Sequence, residues 1–274
     1  MTDHEVAPPG VDLNVPSVAR VYDYFIGGKD NFAVDRMVAE RSLEFVPDAR
    51  EAGRACRAFL GRAVRWLADD QGIRQFLDIG SGLPTQNNVH QVAQQVHPTA
   101  HVVYVDNDPM VHAHGRALLA DEVTTTVIQA DLREPRKILG HPVVRDYLDF
   151  SQPIGLLMLS VLHHVNDDEE PGKIAEILRD ALPSGSYLAI IHFWDPADEH
   201  PEISTSVHEA ERVFNETLGT GRWRTRDEIM AFFGDFVLVE PGLVPLAEWR
   251  PVPDQVIHQG PSYYTMLCGV ARKP

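Results

Sequence analysis

The sequence predicts an α/β protein on a doubly wound, mostly parallel sheet, and three observations carry that expectation. Five short apolar runs, at residues 76–80, 101–106, 124–131, 154–161 and 186–193, alternate with amphipathic stretches. Near-continuous apolar strands of this kind are buried on both faces, as a parallel sheet covered by helices requires. The first three runs end in acids or glycines, which is where open α/β sheets hold their ligands. The quarter of the chain before them shows only helical spacing.

Taken in order, apolar residues at 18, 21, 22 and 25 form a helical stripe that Gly27 stops. Asp30 or Asn31 is placed to cap a second helix running toward Pro47. A third keeps Ala52, Cys56, Phe59, Leu60, Ala63, Val64 and Leu67 on one face and arginines on the other. Residues 1–72 are therefore expected to form a helical cap, and residues 73–274 the sheet domain. Between the strands, NNVHQVAQQV, PMVHAHGRALLA and GKIAEILRDAL have helical spacing. After the fifth strand, residues 203–219 and 224–233 read as helices of an insertion over about 195–234. FVLVEPG and SYYTMLCGVARK, joined by the Pro-rich 244–256, then read as an antiparallel hairpin at the sheet edge, giving seven strands.

Composition narrows the functional classes. With 24 basic and 40 acidic residues the formal charge is −16, so general affinity for a nucleic-acid backbone is not expected. Cys56 and Cys268 are far apart and lack CxxC spacing, which indicates neither a disulfide framework nor a zinc site and suits a cytoplasmic setting. The start, MTDHEVAPPG, has no basic or apolar signal segment, and no apolar run approaches the ~20 residues of a membrane span.

The first strand ends in Asp78-Ile79-Gly80-Ser81-Gly82, the second in Asp106-Asn107-Asp108 and the third in Ala130-Asp131-Leu132. Glycines after a first strand let a ligand approach the backbone, and an acid ending the second accepts ribose hydroxyls. A dinucleotide would need its pyrophosphate on a helix N-terminus beside a third glycine; here Leu83-Pro84-Thr85 follows, and Asp78 adds negative charge. S-adenosylmethionine, with an ammonium, a sulfonium and no phosphate, suits an acidic, glycine-lined pocket better. The cofactor expected is S-adenosylmethionine.

FLDIGSGLPT, VVYVDND, IQADLREP and LLMLSVLHHV together resemble the successive motifs of class I S-adenosylmethionine-dependent methyltransferases, whose sheet is Rossmann-like. PSVARVYDYFIGGKDNFAVDR ahead of them is similar to the signature of a bacterial methyltransferase-like family long catalogued as a domain of unknown function. The resemblance implies that Gly80, Ser81 and Gly82 line the methionine and ribose portion, Asp106 holds the ribose hydroxyls, and Asp131, Leu132 and Asn107 meet the adenine. The segment from Ser160 and Val161 to His164 is similar to cofactor-pocket wall in many such enzymes. Pro84 departs from the third glycine of many members, which leaves the turn after Gly82 undefined.

A methyl acceptor needs a base only if it must lose a proton, and His164 is the expected candidate. The run Asn166-Asp167-Asp168-Glu169-Glu170 reads as a helix N-terminus and not a metal site. His192-Phe193-Trp194 stands where an acceptor pocket would be lined. The stretch VARVYDYFIGGKDNF lacks the first glycine and the hydroxyl of a phosphate loop, with Asp23 and Asp30 in those places. As a lid it offers Arg20, Tyr22, Lys29 and Asn31 to a methionine carboxylate; the alternative is that these residues only pack. The acceptor expected is a small molecule. The sequence leaves open whether methyl transfer or binding alone occurs, with an NAD-dependent oxidoreductase as the less favoured alternative.

Overall fold

In the computed structural model of the chain, residues 8–85, 87–119, 123–252, 257 and 259–274 are described. Residues 1–7 of the expected cap, 120 of an expected helix and 253–256 of the Pro-rich connection lie outside them.

Five parallel strands carry the site: β1 (Gln75–Ile79), β2 (His101–Asp106), β3 (Thr125–Gln129), β4 (Gly155–Leu159) and β5 (Tyr187–Phe193). Three antiparallel additions follow, β6 (Val237–Leu238), β7 (Val244–Pro245) and β8 (Met266–Arg272). The sheet has eight strands in the order β3-β2-β1-β4-β5-β8-β6, with β7 also on β8. The expected hairpin is present, but β8 lies inside it against β5, and the extra strand is the two-residue β7. The chain order reverses between β1 and β4, opening a crevice at their carboxyl ends.

Helices cover both faces. α1 (Val18–Phe25), α2 (Ala33–Leu43) and α3 (Ala49–Asp69) precede the sheet. α4 (Val89–Val96), α5 (Pro109–Leu118), α6 (Pro135–Gly140), α7 (Pro142–Tyr147) and α8 (Pro171–Asp180) connect its parallel strands, and α9 (Pro201–Leu218) and α10 (Arg226–Ala231) follow β5. One core packs Leu77, Val103, Leu156, Leu188 and Phe233. The other packs the apolar stripe of α3, Phe59, Leu60, Ala63, Val64 and Leu67, on Phe76, Val102 and Leu157. At about 25 cal/mol per Å², burying such side chains contributes roughly 1.5–3 kcal/mol each.

The second helix corrects one expectation. Neither Asp30 nor Asn31 caps it; Phe32 is the N-cap, and Asp35 reaches back to accept the Phe32 amide at 2.9 Å. Asp23 has taken the loop before it: its carboxylate accepts from the Asp30 amide at 2.9 Å and from Asn31 Nδ2 at 2.8 Å. A Cβ on Gly28 would lie 1.9 Å from Asp23 Oδ1, so glycine is required there. The Gly-Gly-Lys stretch is thus a loop closed on a buried carboxylate.

Candidate active site

A cavity of about 620 Å³ opens at the carboxyl ends of β1 to β5, a size usual for small-molecule sites. The strand ends supply Asp78, Gly80, Ser81 and Gly82 from β1, Asp106 and Asn107 from β2, Asp131 and Leu132 after β3, and Ser160, Val161 and His164 after β4. Helix α1 adds Arg20 and Tyr22, and α3 adds Cys56 and Arg57. Asn31 is the exception among the expected residues. It does not line the cavity, because its Nδ2 is held by Asp23 and by the Gly28 carbonyl at 3.2 Å, and Arg36 covers its side-chain oxygen.

The glycine turn is shaped by contact and by hydrogen bonding. Gly80 has φ +71°, and a Cβ there would meet Val161 Cγ2 at 2.3 Å. Gly82 has φ +66° with open space before it, so its bare backbone is accessible to a ligand. The amides of Gly80 and Ser81 both donate to the Val105 carbonyl, at 2.8 and 3.2 Å, and that of Gly82 to Asp106 Oδ2 at 2.9 Å. These amides are therefore occupied and form no anion cradle, and α4 begins only at Val89. A pyrophosphate would find neither donors nor a helix terminus at the turn.

The two acids differ in their surroundings. Asp106 accepts from Gly82 and, through Oδ1, from the Asp108 amide at 3.0 Å. Burial pushes its carboxyl up to about 6, with those amides pulling back. Asp78 is 5% exposed and accepts no hydrogen bond from the described residues. Burial pushes it up to about 7, with Arg57 opposing the rise and Asp106 adding to it. A buried carboxylate without a donor is costly to ionise alone and is relieved by a cation. Asp78, beside the open Gly82 backbone, fits the ammonium of S-adenosylmethionine, while Asp106 keeps free lone pairs for two hydroxyls.

Sequence reasoning missed Arg57, which it counted on the polar face of the third helix. Its signal was Gly53 four residues earlier, which opens that face: Tyr22 donates its hydroxyl to the Gly53 carbonyl at 3.2 Å and lines the cavity beside it. Arg20 lines the cavity as well, but its Nε donates to Asp35 at 2.8 Å and its Nη2 to the Val15 carbonyl. Ser17 ties this segment to the start of α5 by donating its hydroxyl to Asp108, and to α2 by donating its amide to Asp35. Residues 10–22 thereby close one side of the cavity.

His164 lies in the cavity wall, yet its environment does not suit a base. Burial, with Arg133 close by, holds its imidazole down at about 3, so the ring stays neutral and is a poor proton acceptor at pH 7. Of the expected acceptor-pocket trio, Phe193 lines the cavity; His192 and Trp194 are buried behind it. The acidic run is used within the protein: Glu169 accepts from Arg133 Nε at 2.5 Å and Asp167 from Arg224 Nη2 at 2.6 Å.

Comparison with known proteins settles the family. The sequence model of the S-adenosyl methyltransferases matches residues 4–274. The chain belongs to that family. A candidate methyltransferase from Thermobifida fusca YX, of known crystal structure, is 45% identical, with a TM-score of 0.91 over 97% of this chain and 98% of its own. A DUF574 family protein from Streptomyces avermitilis MA-4680 is 38% identical, with a TM-score of 0.89 over 96% and 99%. An S-adenosylmethionine-dependent methyltransferase from Anabaena variabilis ATCC 29413 shares the fold at 14% identity, with a TM-score of 0.53 over 98% and 100%. No curated protein matches the chain. This S-adenosyl methyltransferase is thus an S-adenosylmethionine-dependent enzyme, and among the described residues no helix is long and apolar enough to cross a membrane.

Proposed function

We propose that the protein transfers the methyl group of S-adenosylmethionine to a small-molecule acceptor inside this cavity. One observation carries the reading: the cavity is walled on one side by the strand ends that suit the cofactor and on the other by helices and aromatic rings, within about 620 Å³. That volume leaves room beside the cofactor for a compact acceptor.

When bound, S-adenosylmethionine would supply a methyl carbon activated by its sulfonium, open to in-line attack by an acceptor lone pair as the carbon–sulfur bond breaks and its electron pair leaves with S-adenosylhomocysteine. The protein's residues then align and enclose. Asp106 holds the ribose hydroxyls, Asp131, Leu132 and Asn107 border the adenine, and Gly80 and Ser81 shape the turn at which Gly82 admits the ligand. Asp78 would meet the ammonium and Arg57 the methionine carboxylate, with Arg20 lining the same cavity while bonded to Asp35. Ser160 and Val161 would add the wall that follows β4. Residues 10–22 act as a lid, Tyr22 being its inward face, and exclude water from the aligned reactants. No general base is assigned; an acceptor that carries a proton loses it without help from His164.

Calorimetric titration with S-adenosylmethionine, followed by incubation of labelled donor with a metabolite extract, tests the reading. S-adenosylhomocysteine and a labelled small molecule are the expected products. Tight binding without turnover would instead make the protein a sensor of the cofactor.

A further inference from the structure

The part of the cavity wall that the cofactor reading does not use is aromatic. Phe193 and Trp223 stack at 4.2 Å between ring centroids and 14° between planes. Phe214 stands edge-on to both, at 6.0 and 5.6 Å. All three line the cavity.

Trp223 belongs to a short loop, residues 219–224, that is fixed to the ends of β4 and β5. Gly219 ends α9 with φ +69°, and Gly221, at φ +120°, lies so close to Phe214 that a Cβ would sit 2.8 Å from its Cβ. The Arg222 amide donates to the His163 carbonyl at 2.8 Å, and the Arg224 amide to the Phe193 carbonyl at 3.2 Å. Glu211 accepts from the Trp223 amide at 2.8 Å and from Arg222 Nη1 at 3.0 Å. Arg224, 6% exposed, donates to the Leu162 and Val165 carbonyls at 3.3 and 3.0 Å.

Against this bonding, three buried polar atoms of cavity-lining residues have no partner among the described residues: Thr220 Oγ1, Trp223 Nε1 and His164 Nδ1. Thr220 is 7% exposed. Buried polar groups in folded proteins are almost always bonded, to protein, water or ligand. An indole N–H is a donor only, and a threonine hydroxyl donates or accepts, so an oxygen is the ligand atom that suits each of them. The charged lining residues come from the strand ends, α1 and α3 and their flanking segments, and Thr220, Trp223, Phe193 and Phe214 add no charge to the wall.

We propose that Thr220, Trp223 and His164, with Phe193 and Phe214, form the acceptor subsite, and that the acceptor is a neutral, planar aromatic compound bearing a hydrogen-bonding oxygen. This rests on the methyl-transfer reading above. Phe193 is itself stacked between His163, at 3.5 Å, and Trp223, so the flat face meets Trp223 and Phe214, where ring pairs gain beyond their buried area, and the oxygen meets Thr220 and Trp223.

The test uses protein saturated with S-adenosylhomocysteine, titrated with 4-hydroxybenzaldehyde, 7-hydroxycoumarin and, as a non-planar alcohol, cyclohexanol. At least one planar probe is expected to bind and cyclohexanol is not. Thr220→Val keeps shape and removes the hydroxyl, and should weaken the planar probe about tenfold, the loss expected for one buried hydrogen bond; Trp223→Phe removes the indole N–H together with part of the stacked ring, and should weaken it by at least as much. Their affinity for S-adenosylhomocysteine should be that of the wild type, which also reports an intact fold. Failure of both planar probes to bind, equal binding of cyclohexanol, or affinity unmoved by both substitutions overturns the aromatic acceptor alone. Failure of S-adenosylhomocysteine to bind overturns the reading beneath it.

Discussion

Arg20 and Asp35 form a buried ion pair, Nε to Oδ2 at 2.8 Å, with side chains only 4% and 0% exposed. Asp35 also accepts from the Ser17 and Phe32 amides, both at 2.9 Å. Arg20 therefore joins α1 to α2 before any ligand arrives. Arg20→Ala should lower stability by about 3 kcal/mol, because one partner's removal leaves a buried charge short of its match. Urea unfolding measures it; an unchanged midpoint with lost cofactor affinity would make Arg20 a ligand contact and not a fastener.

Arg57 should behave in the opposite way. It is half-buried at the cavity, and its guanidinium donates to the Asn87 carbonyl at 2.9 Å. Arg57→Ala is expected to weaken S-adenosylmethionine binding by about 1–3 kcal/mol, as for a lost charged hydrogen bond, with the unfolding midpoint little moved. Calorimetry on the variant gives the answer, and wild-type affinity would send the methionine carboxylate to another partner.

Asp78 links binding to pH. Its carboxyl is raised to about 7 in the folded protein, against about 3.9 unfolded. The folded state thus holds the extra proton between those values, and this group makes the ligand-free protein less stable as pH rises from about 4 to about 7. Asp78→Asn should flatten that slope and raise Tm at pH 7.5 by roughly 2–6 °C. The cofactor ammonium prefers the ionised acid, so wild-type affinity should increase as pH rises through about 7 and then level off. In Asp78→Asn the affinity should be low and should lose the rise through about 7, leaving only the change near 6 that Asp106 contributes.

The two glycines of the turn separate stability from binding. Gly80→Ala drives a Cβ to 2.3 Å from Val161 at a left-handed φ, and should cost about 2 kcal/mol or more of stability. Gly82→Ala meets nothing within 4 Å and bears only the φ strain, about 1 kcal/mol, yet adds a methyl group to a residue that lines the cavity. Paired unfolding and titration experiments should show the first variant damaged mainly in folding and the second mainly in cofactor affinity.

Because the His164 ring is neutral down to about pH 3, it should leave no limb in the rate profile. At saturating cofactor, kcat of the wild type and of His164→Asn should run parallel across about pH 6–8, where an ordinary histidine titrates. A limb near pH 6.5 present only in the wild type would restore His164 as the base.

Much of this site was legible in the chain because its parts are local. The apolar runs that end in Asp78, Asp106 and Asp131 follow from strand periodicity, and strands of a parallel sheet share one carboxyl end. The acid and glycine positions therefore converge without any knowledge of packing. What stayed hidden depends on partners distant in sequence. Asn31 looked available from its neighbours, but Asp23 folds back across the loop to bind it. Arg57 looked solvated on an arginine-rich helix face until α1 and the end of β1 closed around it. Thr220 and Trp223 carry no motif; only Glu211 and the ends of β4 and β5 hold them against the cavity.

The sequence by itself determined the alternation of strands and helices, the acidic and glycine-bearing strand ends and the helical cap. Each is a matter of periodicity and local turn chemistry. Only the tertiary structure decided which polar groups were already bound and which were left for a ligand. A side chain's availability is set by the neighbours that desolvate or bond it, and those neighbours, such as Asp35 for Arg20 and Asp23 for Asn31, are brought there by the fold.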